Sequence, residues 1–207
     1  MPDAVSLFLT DPGAWADSAL AAPLIAPGLR PETACRLLSS PRLAARASSW
    51  LADRLGWGDP AAVPPEDLAL AVASADTLET VALCAGAVWH APRVRALVLA
   101  ADLAMLRARL GDEVREAALR HGALAPEMAR PMAADGSAGD ADILADDIAR
   151  NGAGCITAWI DALPEWVAAR VRLKWQSDAG PPVGADARSD AVRIIRALAP
   201  TSDGQLQ

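Results

Sequence analysis

Apolar residues recur at every third or fourth position along most of the 207-residue chain, which is the spacing that lines one face of an α-helix. Ala and Leu dominate the composition, Tyr is absent and Phe8 is the sole phenylalanine, so helix formers are abundant and strand formers are scarce. The pattern predicts an all-α fold, an irregular orthogonal bundle of about 8–10 helices with an irregular N-terminal arm.

The clearest helices lie between residues 76 and 122. Asp76 and Glu79 are spaced as in a capping box, so we expect a helix that Asp76 N-caps and that runs to about Trp89. Both faces of this helix are apolar, which predicts that it is buried on most sides. One face carries Leu78, Val81, Ala82, Ala85, Val88 and Trp89, and the other carries Leu83, Cys84, Gly86 and Ala87.

Proline and glycine divide the rest of this region. Pro92 fits the first turn of the next helix, and a kink or break is expected near Ala100. Gly111 suits a C-terminal stop, and Asp112 is expected to N-cap a helix that ends near His121.

On the N-terminal side, prolines and glycines interrupt residues 1–31, so we expect brief helices at most, held to the body by Trp15 and Leu20. A short helix is predicted over residues 32–39. A second is predicted from Pro41 to about Leu55, followed by a loop and a helix that begins at Pro65. The predicted apolar face of the second helix comprises Leu43, Ala47, Trp50, Leu51 and Arg54.

The C-terminal part is predicted as a helical hairpin. Asp140 is expected to cap a helix that stops near Asn151, the sequence Gly152-Ala153-Gly154 is interpreted as a helix break, and a further helix continues to Leu163. Pro164 begins the next helix, and a last one is expected over residues 190–199. We interpret the chain as one globular domain with five segments: an arm with short helices (1–65), a central core (66–122), a mobile connector (123–140), the hairpin with the last helix (141–199) and a frayed tail (200–207).

The charge pattern argues against a nucleic-acid partner. The net charge is −7, whereas nucleic acids and anionic membranes require clustered positive charge. Residues 92–121 are nevertheless mildly basic, with six arginines against four acids, and residues 126–149 are acidic, with one arginine against six acids. Three scattered cysteines, no recognisable signal peptide and no long apolar run favour a cytoplasmic protein without membrane insertion.

Candidate catalytic and metal-binding groups have structural explanations. Cys84 and His90 lie six residues apart and so point to different helix faces, and both His90 and His121 fit as helix C-terminal caps. Asp142 and Asp146 share a helix face that a magnesium site could use, but acids at a helix N-terminus are expected without a metal. We therefore expect no enzyme activity, no metal and no cofactor.

Seven tryptophans and several arginines are the remaining indication of function, because both residue types often anchor protein interfaces. Trp50, Trp89 and Trp159 lie on apolar faces and are expected in the core. Three tryptophans are candidates for exposure and partner binding: Trp57, in a loop between two glycines, and Trp166 and Trp175, which lie near Arg170, itself a further candidate.

Three stretches resemble the SctK family of type III secretion, also named YscK or OrgA. They are VALCAGAVWHAPRVRALV, LRARLGDEVREAALRHG and LPEWVAARVRLKW, and the resemblance covers about residues 68–175. The run Leu106-Arg107-Ala108-Arg109-Leu110-Gly111 and the order of elements carry it. The first 60 residues depart from the family pattern.

The resemblance implies a non-enzymatic cytoplasmic adaptor of the sorting platform, with a role in protein transport and virulence. It would link the cytoplasmic domains of the inner-membrane ring to the pod protein, at the inner membrane of a Gram-negative bacterium. Our hypothesis is that Arg93, Arg95, Arg107 and Arg109 face acidic partner surfaces; the alternative is that single exposed arginines pair with Asp102 or Glu113. Two other classes stay open: a helical binding or regulatory module unrelated to secretion, and a metal-dependent helical enzyme.

Overall fold

The computed structural model describes residues 4–97, 99–127, 140–182 and 184–200, and within these ranges the chain is all-α, without a strand. The all-α prediction is therefore confirmed. The described residues form twelve α-helices rather than about 8–10. The helices are α1 (Ala4–Thr10), α2 (Ser18–Ile25), α3 (Pro31–Ser39), α4 (Ala44–Arg54), α5 (Pro65–Val72), α6 (Ala75–Trp89), α7 (Ala91–Ala96), α8 (Ala100–Leu110), α9 (Asp112–His121), α10 (Asp140–Ala162), α11 (Glu165–Val171) and α12 (Ala185–Ala197).

The helices group into two compact units. The first unit contains α1–α5 and α11, and the second contains α6–α10 and α12. The chain leaves the first unit after α5 and returns to it with α11. The five predicted segments are consecutive in sequence, whereas the two units group helices that are close in space. The division into five segments therefore stays a prediction.

The first unit is built around α4. Leu51 and Leu55 of α4 are buried together with Ala21 of α2 and with Leu173, which follows α11. The Ser48 hydroxyl, on the same side of α4, donates to Asp11 Oδ1 and accepts from the backbone N–H of Gly13 at 2.9 Å. The arm thus folds onto the small-residue side of α4.

This arrangement corrects the predicted face of α4. The helix begins at Ala44 rather than Pro41, and its buried residues are Ser48, Leu51 and Ala52. Of the predicted apolar face, Leu51 is buried, whereas Leu43 and Trp50 are 46% and 36% exposed. The buried side of α4 is the side that can approach the arm closely, because its small side chains leave room for the neighbouring backbone.

The second unit is built around α6 and α10. As predicted, α6 is buried on most sides, and its core residues Ala87 and Val88 are fully buried. The predicted break near Ala100 is found between α7 and α8, and Gly111 takes a positive φ of 91° at the end of α8. A core of nine buried residues joins α6–α10: Ala87, Ala91, Val94, Leu106, Val114, Ala118, Leu144, Ala145 and Ile148.

Two capping predictions shift by a residue. Because α6 begins at Ala75, Asp76 lies in its first turn instead of N-capping it. Similarly, α9 begins at Asp112, and Gly111 occupies the cap position. Both carboxylates still lie at the positive end of the helix dipole, where negative charge is stabilising.

The predicted break at residues 152–154 is wrong, because α10 is one continuous helix of 23 residues. Its glycine has a packing role instead. A Cβ atom on Gly152 would lie 1.9 Å from the carbonyl oxygen of Ala82, and a Cβ on Gly86 would lie 1.9 Å from that of Ile148. The backbones of α6 and α10 therefore touch at Gly86 and Gly152, and no side chain fits at either position.

The C-terminal helices differ slightly from prediction. The last helix, α12, begins at Ala185, five residues before the predicted start, and α11 ends at Val171. The predicted connector lies mostly outside the described residues, as do Met128 and Met132 within it and the tail 201–207. None of the described helices combines the length and apolar character that a membrane span needs.

Candidate interaction surfaces

Arg93 and Arg109, two of the predicted partner-binding arginines, are bound to acids on α10. The Arg93 guanidinium lies 2.8 Å from the Asp147 carboxylate, and Arg109 lies 3.2 Å from Asp142 and 2.8 Å from Asp146. The hydrogen bond and charge of Asp146 raise the pKa of Arg109. The basic stretch of the sequence thus meets the acidic stretch of the same chain, and the acids that pair with these two arginines are not the expected Asp102 and Glu113.

Arg95 and Arg107, the other two arginines of this set, remain at the surface. Arg95 is exposed and donates to the carbonyl of Leu119 at 3.3 Å. Arg107 pairs with Asp112 across the turn between α8 and α9. Together with the partly exposed apolar residues Leu103 and Leu119, Arg107 lines an open groove of about 620 Å³ between these helices.

The candidate magnesium ligands are already satisfied by arginine. Asp142 and Asp146 share one face of α10 as predicted, yet both carboxylates bind Arg109. Within the described ranges, no group of three or more His, Cys, Asp or Glu side chains has a geometry that could hold a metal ion.

Arg170, the fifth arginine of the predicted partner-binding set, is fully buried. Its guanidinium donates to the carbonyls of Gly56 at 2.8 Å, Trp166 at 3.0 Å, Leu9 at 3.3 Å and Leu55 at 3.4 Å. The rings of Trp57 and Trp166 lie 5.6 and 5.7 Å from it. We therefore correct its assignment: Arg170 holds the first unit together and is not accessible to a partner.

Lys174 is a second buried cation in the same unit. Its ammonium donates to the carbonyls of Ala71 at 2.5 Å and Ala73 at 2.6 Å. It also lies 5.2 and 5.3 Å from the ring centroids of Phe8 and Trp15, which stack on each other. Burial lowers its pKa to about 8 and also lowers the pKa of Arg170. Lys174 therefore still carries its charge at pH 7.

The partners of these two cations share one property. Among the described residues, neither cation has a carboxylate within ion-pair distance, and nearly all the carbonyls that they bind belong to the last turn of a helix or directly follow it. Arg170 binds the ends of α1 and α4, and Lys174 binds the end of α5. Helix C-termini carry unpaired carbonyls and partial negative charge. Beside each of these cations, the ends of helices therefore take the place of a carboxylate.

The tryptophans divide between core and surface. Trp57 is 56% exposed, as predicted, while Trp166 and Trp175 are half-buried. The Trp166 indole packs against Gly58, where an added Cβ would overlap the ring. Of the tryptophans expected in the core, Trp159 is fully buried, but Trp50 lies at the surface with Arg54 4.3 Å above its ring.

His90 is a buried polar residue whose role the sequence did not indicate. Instead of capping α6, its Nε2 lies 2.7 Å from the side-chain nitrogen of Asn151 on α10, and its Nδ1 is buried without a partner. Burial, reinforced by the charge of Arg93, lowers the pKa of His90 to about 4. Cys84 is buried, as predicted, and burial raises the pKa of its thiol to about 11.

Sequence reasoning missed one surface altogether, the exposed side of α4 with Leu43, Trp50 and Arg54. It assigned this stripe to the core because the stripe is the most apolar side of the helix. Comparison of the chain with protein-family models, with characterised proteins and with solved structures finds no match.

Proposed function

We propose that the protein is a non-enzymatic helical adaptor of a type III secretion sorting platform. It would bind the cytoplasmic domain of the inner-membrane ring protein and the pod protein, and it would be located in the cytoplasm at the inner membrane through these partners. The resemblance of residues 68–175 to the SctK family is the observation that carries the proposal.

The fold supports a binding role in a general way. The three stretches that carry the resemblance lie on α6–α9 and on the end of α10 with α11, which are helices in the structure. Arg170, Lys174 and His90, whose pKa values are lowered by burial, are bound to carbonyls or to an amide. In these positions they stabilise helices instead of facing a cleft, which a catalytic group would need to do.

The surface offers two kinds of contact. Trp57, Arg95 and Arg107 of the predicted partner-binding set are exposed. By contrast, Arg93 and Arg109 could meet an acidic partner surface after exchanging their bonds to Asp147, Asp142 and Asp146. Arginine pairs at a surface exchange partners at little cost, because an exposed ion pair contributes little to stability.

The test is reconstitution with the two proposed partners. The pod protein and the cytoplasmic domain of the ring protein encoded in the same genome would be purified with this chain and analysed by size-exclusion chromatography with light scattering. We expect a complex with each partner and a ternary complex with both. Separate elution of three folded proteins at micromolar concentration, together with normal secretion in a deletion strain, would refute the proposal.

A further inference from the structure

The exposed side of α4 is an amphipathic face left outside the core. Leu43, Ala47 and Trp50 fall at helical spacing on this side, and Leu43 and Trp50 are 46% and 36% exposed. Just beyond the helix end, Trp57 is 56% exposed, and its indole N–H lies 3.4 Å from the Asp53 carboxylate. Large apolar side chains that cluster at the surface, rather than scatter singly, indicate a binding site.

The surroundings of this face are basic in an otherwise acidic chain. Residues 30–54 contain five arginines against Glu32 and Asp53, a net charge of +3 within a chain of −7. All five are exposed, and none forms an ion pair with another described residue. They are Arg30, Arg36, Arg42, Arg46 and Arg54.

This lack of partners distinguishes the face from Arg93 and Arg109 of the second unit, which are bound to acids of α10. Arg42 and Arg46 border the apolar stripe, and Arg54 lies over the Trp50 ring at 4.3 Å. Tryptophan and arginine are the residue types most often responsible for binding energy at protein interfaces. Unpaired positive charge beside an apolar stripe is complementary to a helix with an apolar side flanked by carboxylates.

We propose that the exposed face of α4, formed by Leu43, Arg46, Trp50, Arg54 and Trp57, docks an acidic amphipathic helix of a partner protein. The partner's apolar residues would cover Leu43, Trp50 and Trp57, and its carboxylates would pair with Arg42, Arg46 and Arg54. The proposal rests on the binding role proposed above, but not on the secretion apparatus.

A protein helix fits this face better than a nucleic acid or a membrane. Asp53 lies within the face and Glu32 lies in the adjoining α3, so a phosphate backbone or an anionic headgroup layer would meet carboxylates between the arginines. Binding of nucleic acids depends on many phosphate contacts, and the net charge of the whole chain opposes it.

The probe is a synthetic peptide with leucines at helical spacing and glutamates on both flanks; the reference is a scrambled peptide of the same composition. Binding is measured by isothermal titration calorimetry and by circular dichroism of the peptide. We expect saturable binding with a gain of peptide helicity, weakened at least tenfold by W50A and by R46E. The two variants remove the apolar and the charged contribution separately, and R46E alters an exposed side chain.

Matched controls come from the second unit. Arg188 on α12 is exposed and without an ion pair among the described residues, and Leu119 on α9 is 48% exposed, so R188E and L119A change the same properties elsewhere. Both should bind the peptide as the native chain does. Circular dichroism of each variant verifies that it is folded.

The inference is overturned if neither peptide binds, if the scrambled peptide binds equally, or if R188E weakens binding as much as R46E. It is also overturned if phosphatidylserine vesicles or DNA bind through Trp50 and Arg46 while the peptide does not. The proposed function fails independently. If the pod and ring proteins bind the native chain but the acidic peptide does not, the adaptor role stands and this surface is refuted; if the peptide binds through Trp50 and Arg46 but these proteins do not bind, the reverse holds.

Discussion

The two units of the molecule place their cations in opposite ways. In the first, Arg170 and Lys174 are buried and bind helix-end carbonyls and aromatic rings. In the second, Arg93 and Arg109 lie nearer the surface and bind the carboxylates of α10. The comparison indicates that burial and the number of groups satisfied, rather than the number of ion pairs, decide how much a cation contributes to the fold.

The largest expected effect is the loss of the buried cation in the first unit. R170L would remove a fully buried guanidinium that donates to four carbonyls, which should lower the free energy of unfolding by about 3–5 kcal/mol. Urea denaturation measures the change. R172L alters an exposed arginine two residues away that pairs with Glu165, and it should cost far less. Equal losses in the two variants would contradict the role of Arg170.

The next effect concerns pH and the second unit. Because the pKa of His90 falls from 6.5 in the unfolded chain to about 4 in the fold, the unfolded state binds more protons between these values. The stability contributed by neutral His90 is complete above pH 6.5 and is lost as the pH falls toward 4, a loss of about 3 kcal/mol.

Urea denaturation at several pH values measures this loss, with H90Q as the reference. Gln can keep a hydrogen bond to Asn151 but does not titrate, so the pH dependence of the difference between the two proteins isolates the histidine. A difference that stays constant between pH 6.5 and 4 would show that His90 titrates normally.

The third-largest effect on stability is expected where the backbones of α6 and α10 touch in the second unit. G86A and G152A each add a methyl group that would overlap a carbonyl oxygen of the facing helix, so α6 and α10 must separate, at a cost of about 1–3 kcal/mol or more. G180A is the matched control, because a Cβ there meets no atom within 4 Å and the residue has no positive φ. Thermal unfolding should separate the pair from the control; three equal melting temperatures would exclude a tight crossing.

The smallest effect is expected at the surface of the second unit. R109Q removes two bonds to Asp142 and Asp146 from side chains that are all largely exposed, so the melting temperature should change by no more than about 2 °C. A large drop in melting temperature would show that the bonds of Arg109 contribute to stability as much as those of Arg170, and the contrast between the two units would not hold. Added salt should reduce even this small difference, because it screens exposed charges.

Sequence reasoning succeeded where local chemistry determines structure. Pro31, Pro65 and Pro92 begin helices or occupy their first turn, and Gly111 ends one, because the restricted φ of proline and the free φ of glycine act within a single turn. The apolar faces of α6 were likewise predicted, since a helix that is apolar on both sides has no alternative to burial.

It failed where tertiary contacts decide. At Gly152 the pattern gave the same signal as a helix break, and the partner that explains this glycine, Ala82, lies 70 positions earlier in the chain. The buried side of α4 was missed because it depends on the bonds of Ser48 to Asp11 and Gly13, 37 and 35 residues away.

For the candidate interface, the spacing of Arg170 from Val167 on α11 was a usable signal of burial, since it places the two near one helix face. No comparable pattern marks Arg46 or Trp50 as exposed. The intramolecular pairs of Arg93 and Arg109 were foreseen as an alternative, but not their acids, because α10 is brought to these arginines by the fold.

The crossing of α6 and α10 also sets the register of the second unit. If α10 slid along its axis by one turn, about 5.4 Å, Ile148 or Ile156 would replace Gly152 opposite the carbonyl of Ala82, where a Cβ has no room. One allowed register fixes where every residue of α10 stands. Two glycines thereby determine that Asp147 meets Arg93, that Asp146 meets Arg109 and that Asn151 meets His90, although neither glycine carries a polar side chain of its own.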